Sequence, residues 1–152
     1  MRSAWLLLLV LLSLRVTAQE RPRAERIQAQ RVAFITEKLQ LTPGEAERFW
    51  PVYNEYRARK MKIEEKKNRL MRRYAAQDAS LTDEEAEKIG DEYVALEKEE
   101  ADLLASYHEQ FKKVLPPRKV LMLYRAEKQF TAYLLRQIRD RQRREGPPPG
   151  KR

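Results

Sequence analysis

The chain contains no cysteine, one histidine and four glycines among its 152 residues. Without cysteine there is no disulfide, no thiolate metal centre, no cysteine nucleophile and no lipid-bearing N-terminal cysteine. The lone histidine, His108, has Leu104, Ala105, Phe111 and Lys112 as its helical neighbours, so no second ligand shares its face. Glycine is too sparse for a phosphate-cradling loop, and no nucleophile–base pattern stands in for one. These absences point away from an enzyme, a metal site and any cofactor. Long apolar runs are missing too. The one candidate, Trp5 to Leu14, is about half the ~20 residues that a membrane-spanning helix needs.

That short run follows Arg2 and precedes Val16-Thr17-Ala18. A positive start, an apolar stretch and small residues before a polar chain make a secretory signal peptide over residues 1–18. The expectation is a periplasmic chain cut after Ala18, with one helical domain over residues 19–141. Residues 142–152, basic and carrying Gly146-Pro147-Pro148-Pro149-Gly150, read as a disordered tail. The formal net charge is +9, and it becomes +7 once Arg2 and Arg15 are removed. Such a balance ordinarily suggests nucleic acid. Export redirects it to anionic envelope surfaces, acidic proteins or unfolded polypeptides.

What the chain does have is helical punctuation. In Leu41-Thr42-Pro43-Gly44-Glu45, Thr42 and Glu45 can satisfy each other's backbone N–H groups, with proline at the first helical position. The device returns at Leu81-Thr82-Asp83-Glu84-Glu85, and in looser form at Leu115-Pro116-Pro117-Arg118-Lys119. Four helices follow, over residues 22–39, 43–76, 82–114 and 117–139. Pro51 lies inside the second and should kink it. Arginines 21, 23, 26 and 31 oppose the dipole at the start of the first, which should fray.

The second helix carries Phe49, Tyr53, Tyr56, Ile63, Leu70 and Tyr74 in alternating steps of four and three, with Lys60 and Lys67 at the missing steps. The third carries Ala86, Ile89, Tyr93, Leu96, Leu103, Tyr107 and Phe111, with Glu100 as its interruption. An antiparallel hairpin brings Phe49 to Phe111, Tyr53 to Tyr107, Tyr56 to Leu104, Ile63 to Leu96, Leu70 to Ile89 and Tyr74 to Ala86. The same register sets Lys60 against Glu100, and a polar pair in an apolar seam fixes register. Residues 57–73 hold nine basic and two acidic side chains, while residues 83–109 hold eleven acidic and two basic. The two helices are therefore complementary in sign. The fourth helix has an apolar stripe wide enough to cover two neighbours or reach a second subunit. A hairpin this thin buries little alone, so a dimer or an exposed partner-binding face is expected.

Leu41-Thr42-x-x-Glu45 and Leu115-Pro116-x-x-Lys119 resemble the paired LTxxQ motifs of the Spy/CpxP superfamily of periplasmic proteins. The similarity spans residues 27 to 136 and is nearest to the branch of refolding chaperones and sensors of extracytoplasmic-function sigma factors. Glu45, Lys119 and Pro116 depart from the motif. The resemblance implies an all-α fold in which a long hairpin with hooked terminal helices dimerises into a cradle, whose basic and partly apolar face holds unfolded clients without ATP. Candidate client-binding residues are Phe34, Trp50, Tyr53, Arg57, Arg59, Met61, Lys62, Lys66, Arg69, Met71, Arg72 and Arg73. The competing view of each aromatic is a core position, and of each charge a solvated face. Other members of the superfamily imply an alternative, a stress adaptor docking on a membrane sensor or an anti-sigma factor. Metal sensing, a third possibility, lacks ligands here.

Overall fold

Thr42 and Thr82 both form reciprocal caps. Thr42 N–H donates to Glu45 Oε2 at 2.8 Å and Glu45 N–H donates to Thr42 Oγ1 at 3.3 Å. The Thr82–Glu85 pair repeats this at 3.0 and 3.3 Å. Each box opens a long helix in the computed structural model, which describes residues 25–77 and 80–145. The helices are α1 (residues 25–39), α2 (Pro43–Gln77), α3 (Asp83–Val114) and α4 (Pro117–Glu145). No strand occurs among the described residues, and the chain is all-α. The expected signal peptide over residues 1–18, residues 22–24 of the expected first helix and residues 146–152 of the tail lie outside the described residues.

The helix ends have separate causes. α1 stops at Gln40, whose N–H donates back to Glu37 O at 3.2 Å and whose φ of 48° turns the following chain out of the helix. A left-handed residue closing a helix is usually glycine, so nothing in the sequence marks this one. α3 ends as Leu115 N–H donates to Phe111 O at 2.9 Å. Pro116 then caps α4 with its carbonyl alone, accepting from Lys119 N–H at 2.9 Å and Val120 N–H at 3.1 Å. α2 stays helical through Pro51. α4 continues to Glu145 instead of stopping at Arg139, so residues 142–145 are helical and not part of a disordered tail. Arg143 and Arg144 in its last turn sit at the negative end of the helix dipole, and arginine is a good helix former.

The chain divides into two compact units. Leu41–Leu121 forms one, built on the antiparallel α2–α3 hairpin. Its aromatic end joins Phe49 to Phe111, with ring centroids 6.1 Å apart, and Tyr56 to Tyr107 and Phe111 at 5.4 and 5.7 Å. Its aliphatic end gathers Ile63, Leu70, Ile89 and Leu96, with Leu81 and Leu103 packed against them. Leu81, the residue before the Thr82 cap, thus serves as the apolar clasp of that helix start. The expected Tyr56–Leu104 pair fails: Leu104 is 39% exposed and Tyr56 packs on Tyr107 and Phe111 instead. Leu103 takes the inward position, and the next residue on a helix points 100° away.

Between the two ends lies the polar interruption. Lys60 Nζ is 2.7 Å from Glu100 Oε1, as the register predicts, and Lys67 Nζ is 2.5 Å from Glu100 Oε2 and 2.8 Å from Glu97. Partial burial pushes the Glu100 carboxyl up, but its hydrogen bonds to the two ammoniums outweigh that and hold it below the usual carboxylate range. Burial likewise opposes charge on Lys60, and the Glu100 carboxylate more than offsets it, leaving the ammonium raised.

The second unit contains the described residues up to Gln40 and those from Met122 onward. Phe34 lies 5.5 Å from Phe130 and 6.2 Å from Tyr133, centroid to centroid. Arg31 is buried, 2.6 Å from Glu127, with its guanidinium carbon 4.5 Å from the Phe130 ring centroid. It is an anchor of α1 and not part of a frayed start, because a carboxylate and a ring face both receive it. No described helix is long and apolar enough to cross a membrane.

Candidate polypeptide-binding surface

α2 owes its basic character to residues 57–73, and the structure sorts those cations into paired and unpaired. Lys66 reaches Glu99 at 3.0 Å and Arg73 reaches Glu92 at 3.2 Å, both across the hairpin. Arg59 pairs with Glu55 at 2.6 Å and Arg69 with Glu65 at 3.1 Å, each within α2. Arg59 also stands 5.7 Å from the Tyr107 ring centroid. These four serve the hairpin's own charge balance, although all remain exposed and their pairs are screened by water. Arg57 is half-buried, and its Nε is enclosed without a hydrogen-bond partner.

Lys62 and Arg72 differ. Both are exposed, and neither has an ion-pair partner among the described residues. Met61 and Met71 stand beside them, 57% and 45% exposed. Ala58, Met61, Lys62, Glu64, Glu65, Asn68 and Arg72 line a shallow, open depression along this side of α2. Met61 and Arg72, eleven residues or three turns apart, share that side with Lys62 at its edge, among the carboxylates of Glu64 and Glu65, while Met71 does not line the depression.

Three aromatic candidates are not freely exposed. Tyr53 is fully buried, so its expected contact with a client is overturned: it belongs to the aromatic end of the hairpin core, 5.2 Å from Phe49. Trp50 is half-buried, edge-on to Phe49 at 4.9 Å and to Tyr53 at 5.4 Å. Phe34 is half-buried between Phe130 and Tyr133, with Lys38 Nζ 5.4 Å from its centroid. Phe34 and Tyr53 lie on the core stripes of their helices, where an aromatic packs inward, and Trp50 packs on its stripe neighbours Phe49 and Tyr53.

The six motif residues collect at two helix starts. Leu41 and Thr42 lead into α2; Leu115 and Pro116 lead into α4, with Leu115 buried. Lys119 Nζ is 2.6 Å from Glu45 Oε2, the oxygen that also accepts from Thr42 N–H. The two positions that depart from glutamine thus meet each other. Hydrogen bonds from Lys119 and then Thr42 hold the Glu45 carboxyl below the usual range.

Sequence reasoning missed a second basic face. α4 beyond Met122 exposes Leu135 at 57% and Ile138 at 44%, among Arg125, Lys128, Arg136, Arg139 and Arg143. Only Arg143 lies past the end expected at Arg139; the rest fall inside the expected helix, where Leu135 and Ile138 read as part of one wide apolar stripe. Among the described residues, no group of three or more His, Asp or Glu side chains is placed to hold a metal ion. No protein-family model, curated protein or solved structure matches the chain, so the functional reading rests on its own side chains.

Proposed function

We propose that this is an exported, ATP-independent chaperone of the Spy/CpxP kind, which holds unfolded or stress-damaged envelope polypeptides in the periplasm. The observation that carries the reading is the outward side of α2, where Lys62 and Arg72 lie exposed, with no ion-pair partner among the described residues, beside exposed Met61. Cations attract acidic stretches of an unfolded chain over about 10 Å at moderate salt. Methionine, flexible and polarisable, then fits many apolar side chains without demanding one shape. Each contact is weak, so a client leaves when it buries its own apolar residues, and no nucleotide is needed. A homodimer would present the surface twice and raise avidity without new contacts.

The test is light scattering by a guanidinium-unfolded reporter enzyme diluted into the purified chain without ATP. Suppressed aggregation, weakened by the combined Met61→Ala, Lys62→Glu, Met71→Ala and Arg72→Glu variant, supports the reading. No suppression at severalfold excess removes it. Retention of one stoichiometric partner in place of many clients would replace it with the signalling-adaptor alternative.

A further inference from the structure

α4 carries a face that client holding on α2 does not use. From Met122 onward, Lys128, Thr131, Leu135, Ile138 and Gln142 follow one another in steps of three and four, which keeps them on one side of the helix. All five are exposed, Leu135 and Ile138 by 57% and 44%. Arg125, Arg136, Arg139 and Arg143 lie along one margin of that stripe, and no ion pair occupies any of them among the described residues. Of the carboxylates nearby, Glu127 is held by Arg31 and Asp140 falls outside the stripe, while Glu145, three residues past Gln142, ends it.

We infer that this face docks on an anionic phospholipid surface, with α4 lying in the headgroup layer. Charge complementarity sets the sign of the partner, since four arginines border a stripe whose one acidic position is the terminal Glu145. The mixture within the stripe sets its class. A dry helix–helix seam would bury Lys128 and Gln142 among apolar side chains and leave their polar groups without partners, whereas Thr131 already donates to Glu127 O. In a headgroup layer, phosphates and water satisfy Lys128 and Gln142, while Leu135 and Ile138 enter the acyl boundary. Long arginine stems reach along the apolar surface and return their guanidiniums to the phosphates. The same helix is too polar to cross the bilayer, so the association is peripheral.

Flotation of the full chain with large unilamellar vesicles tests this. Vesicles of phosphatidylglycerol and phosphatidylcholine should carry the protein at low salt, and pure phosphatidylcholine should not. Raising salt to about 0.5 M should release it, because the Debye length then shrinks below 5 Å. The Arg136→Gln/Arg139→Gln double variant should bind roughly 25-fold more weakly, at about fivefold per arginine. Leu135→Ser/Ile138→Ser should weaken binding about tenfold. All substituted positions are exposed, and unchanged helical circular dichroism checks that the fold persists. Absent or equal flotation on the two lipids overturns the proposal, as does indifference to salt or to both double variants. Capture of polyglutamate through the same residues, without flotation, would assign the face to acidic polypeptide instead. Aggregation suppression by the α2 surface is read separately and stands or falls without this result.

Discussion

Glu45 and Lys119 stand 74 residues apart in the sequence and 2.6 Å apart in space. One is the N3 residue of the α2 capping box; the other is in the first turn of α4. A single carboxylate oxygen therefore closes a helix start and ties it to a second one. Glu45→Ala should lower the thermal midpoint more than Lys119→Ala, because it removes both the cap and the pair. A double-mutant cycle on the two residues, followed by circular dichroism, should give a non-zero coupling; additive effects would mean that the contact does not operate in solution.

Glu100 sits between two ammoniums and is only 23% exposed at its side chain. Glu100→Gln should cost about 1–2 kcal/mol, between the value of a charged hydrogen bond and that of a screened surface pair. Glu100→Lys should cost more, since three cations would then share the seam. Urea unfolding measures both.

Removing the Thr82 hydroxyl tests the second cap. Thr82→Ala should cost about 1 kcal/mol in the same urea series. Thr82→Ser should retain most of the stability, because serine supplies the same acceptor.

Phe111 touches both Phe49 and Tyr56 and is fully buried. Phe111→Ala should cost about 3–5 kcal/mol. Tyr53→Ala should likewise act on stability. If it impaired aggregation suppression without shifting the unfolding midpoint, its assignment to the core would be wrong.

The pH dependence follows from the lowered carboxyls. Glu45, Glu97, Glu100 and Glu109 all titrate below the ordinary 4.5 when folded. Their contribution is complete above the unfolded value and is lost as pH falls through the folded values. Stability should thus decline below about pH 4.5 and be nearly flat between pH 6 and 8 on their account. Lys60 and Lys67 are shifted the other way, both above 10.5. Their contribution is present below that value and is lost only as pH rises through the higher folded values. A urea midpoint series from pH 3 to 8 would trace the acid limb, and its extension to pH 10 should show no loss from the two lysines.

Much of the hairpin was legible because it is written in local rules. Caps announced Thr42 and Thr82, and the four–three steps announced the seam, including the Lys60–Glu100 match. Residues whose state depends on distant partners were not legible. Arg31 looked like a misplaced cation near a helix start until Glu127 and the Phe130 ring appeared beside it. Tyr53 looked like a binding aromatic because the same spacing marks core and surface stripes alike. Gln40 gave no warning of its left-handed turn, since its side chain carries no sign of backbone geometry. Of the α2 surface, Lys62, Arg72, Met61 and Met71 kept the exposure expected of them. The pairing of Lys66 and Arg73 needed the facing carboxylates of α3 in place.

The two lysines that share Glu100 are seven residues apart, which is two helical turns. That interval limits how such a protein can change length in evolution. One residue added between Lys60 and Lys67 would swing one ammonium about 100° off the seam. Growth or shrinkage of the hairpin keeps this seam in phase only in steps near whole turns, such as seven or eleven residues, made on both arms together.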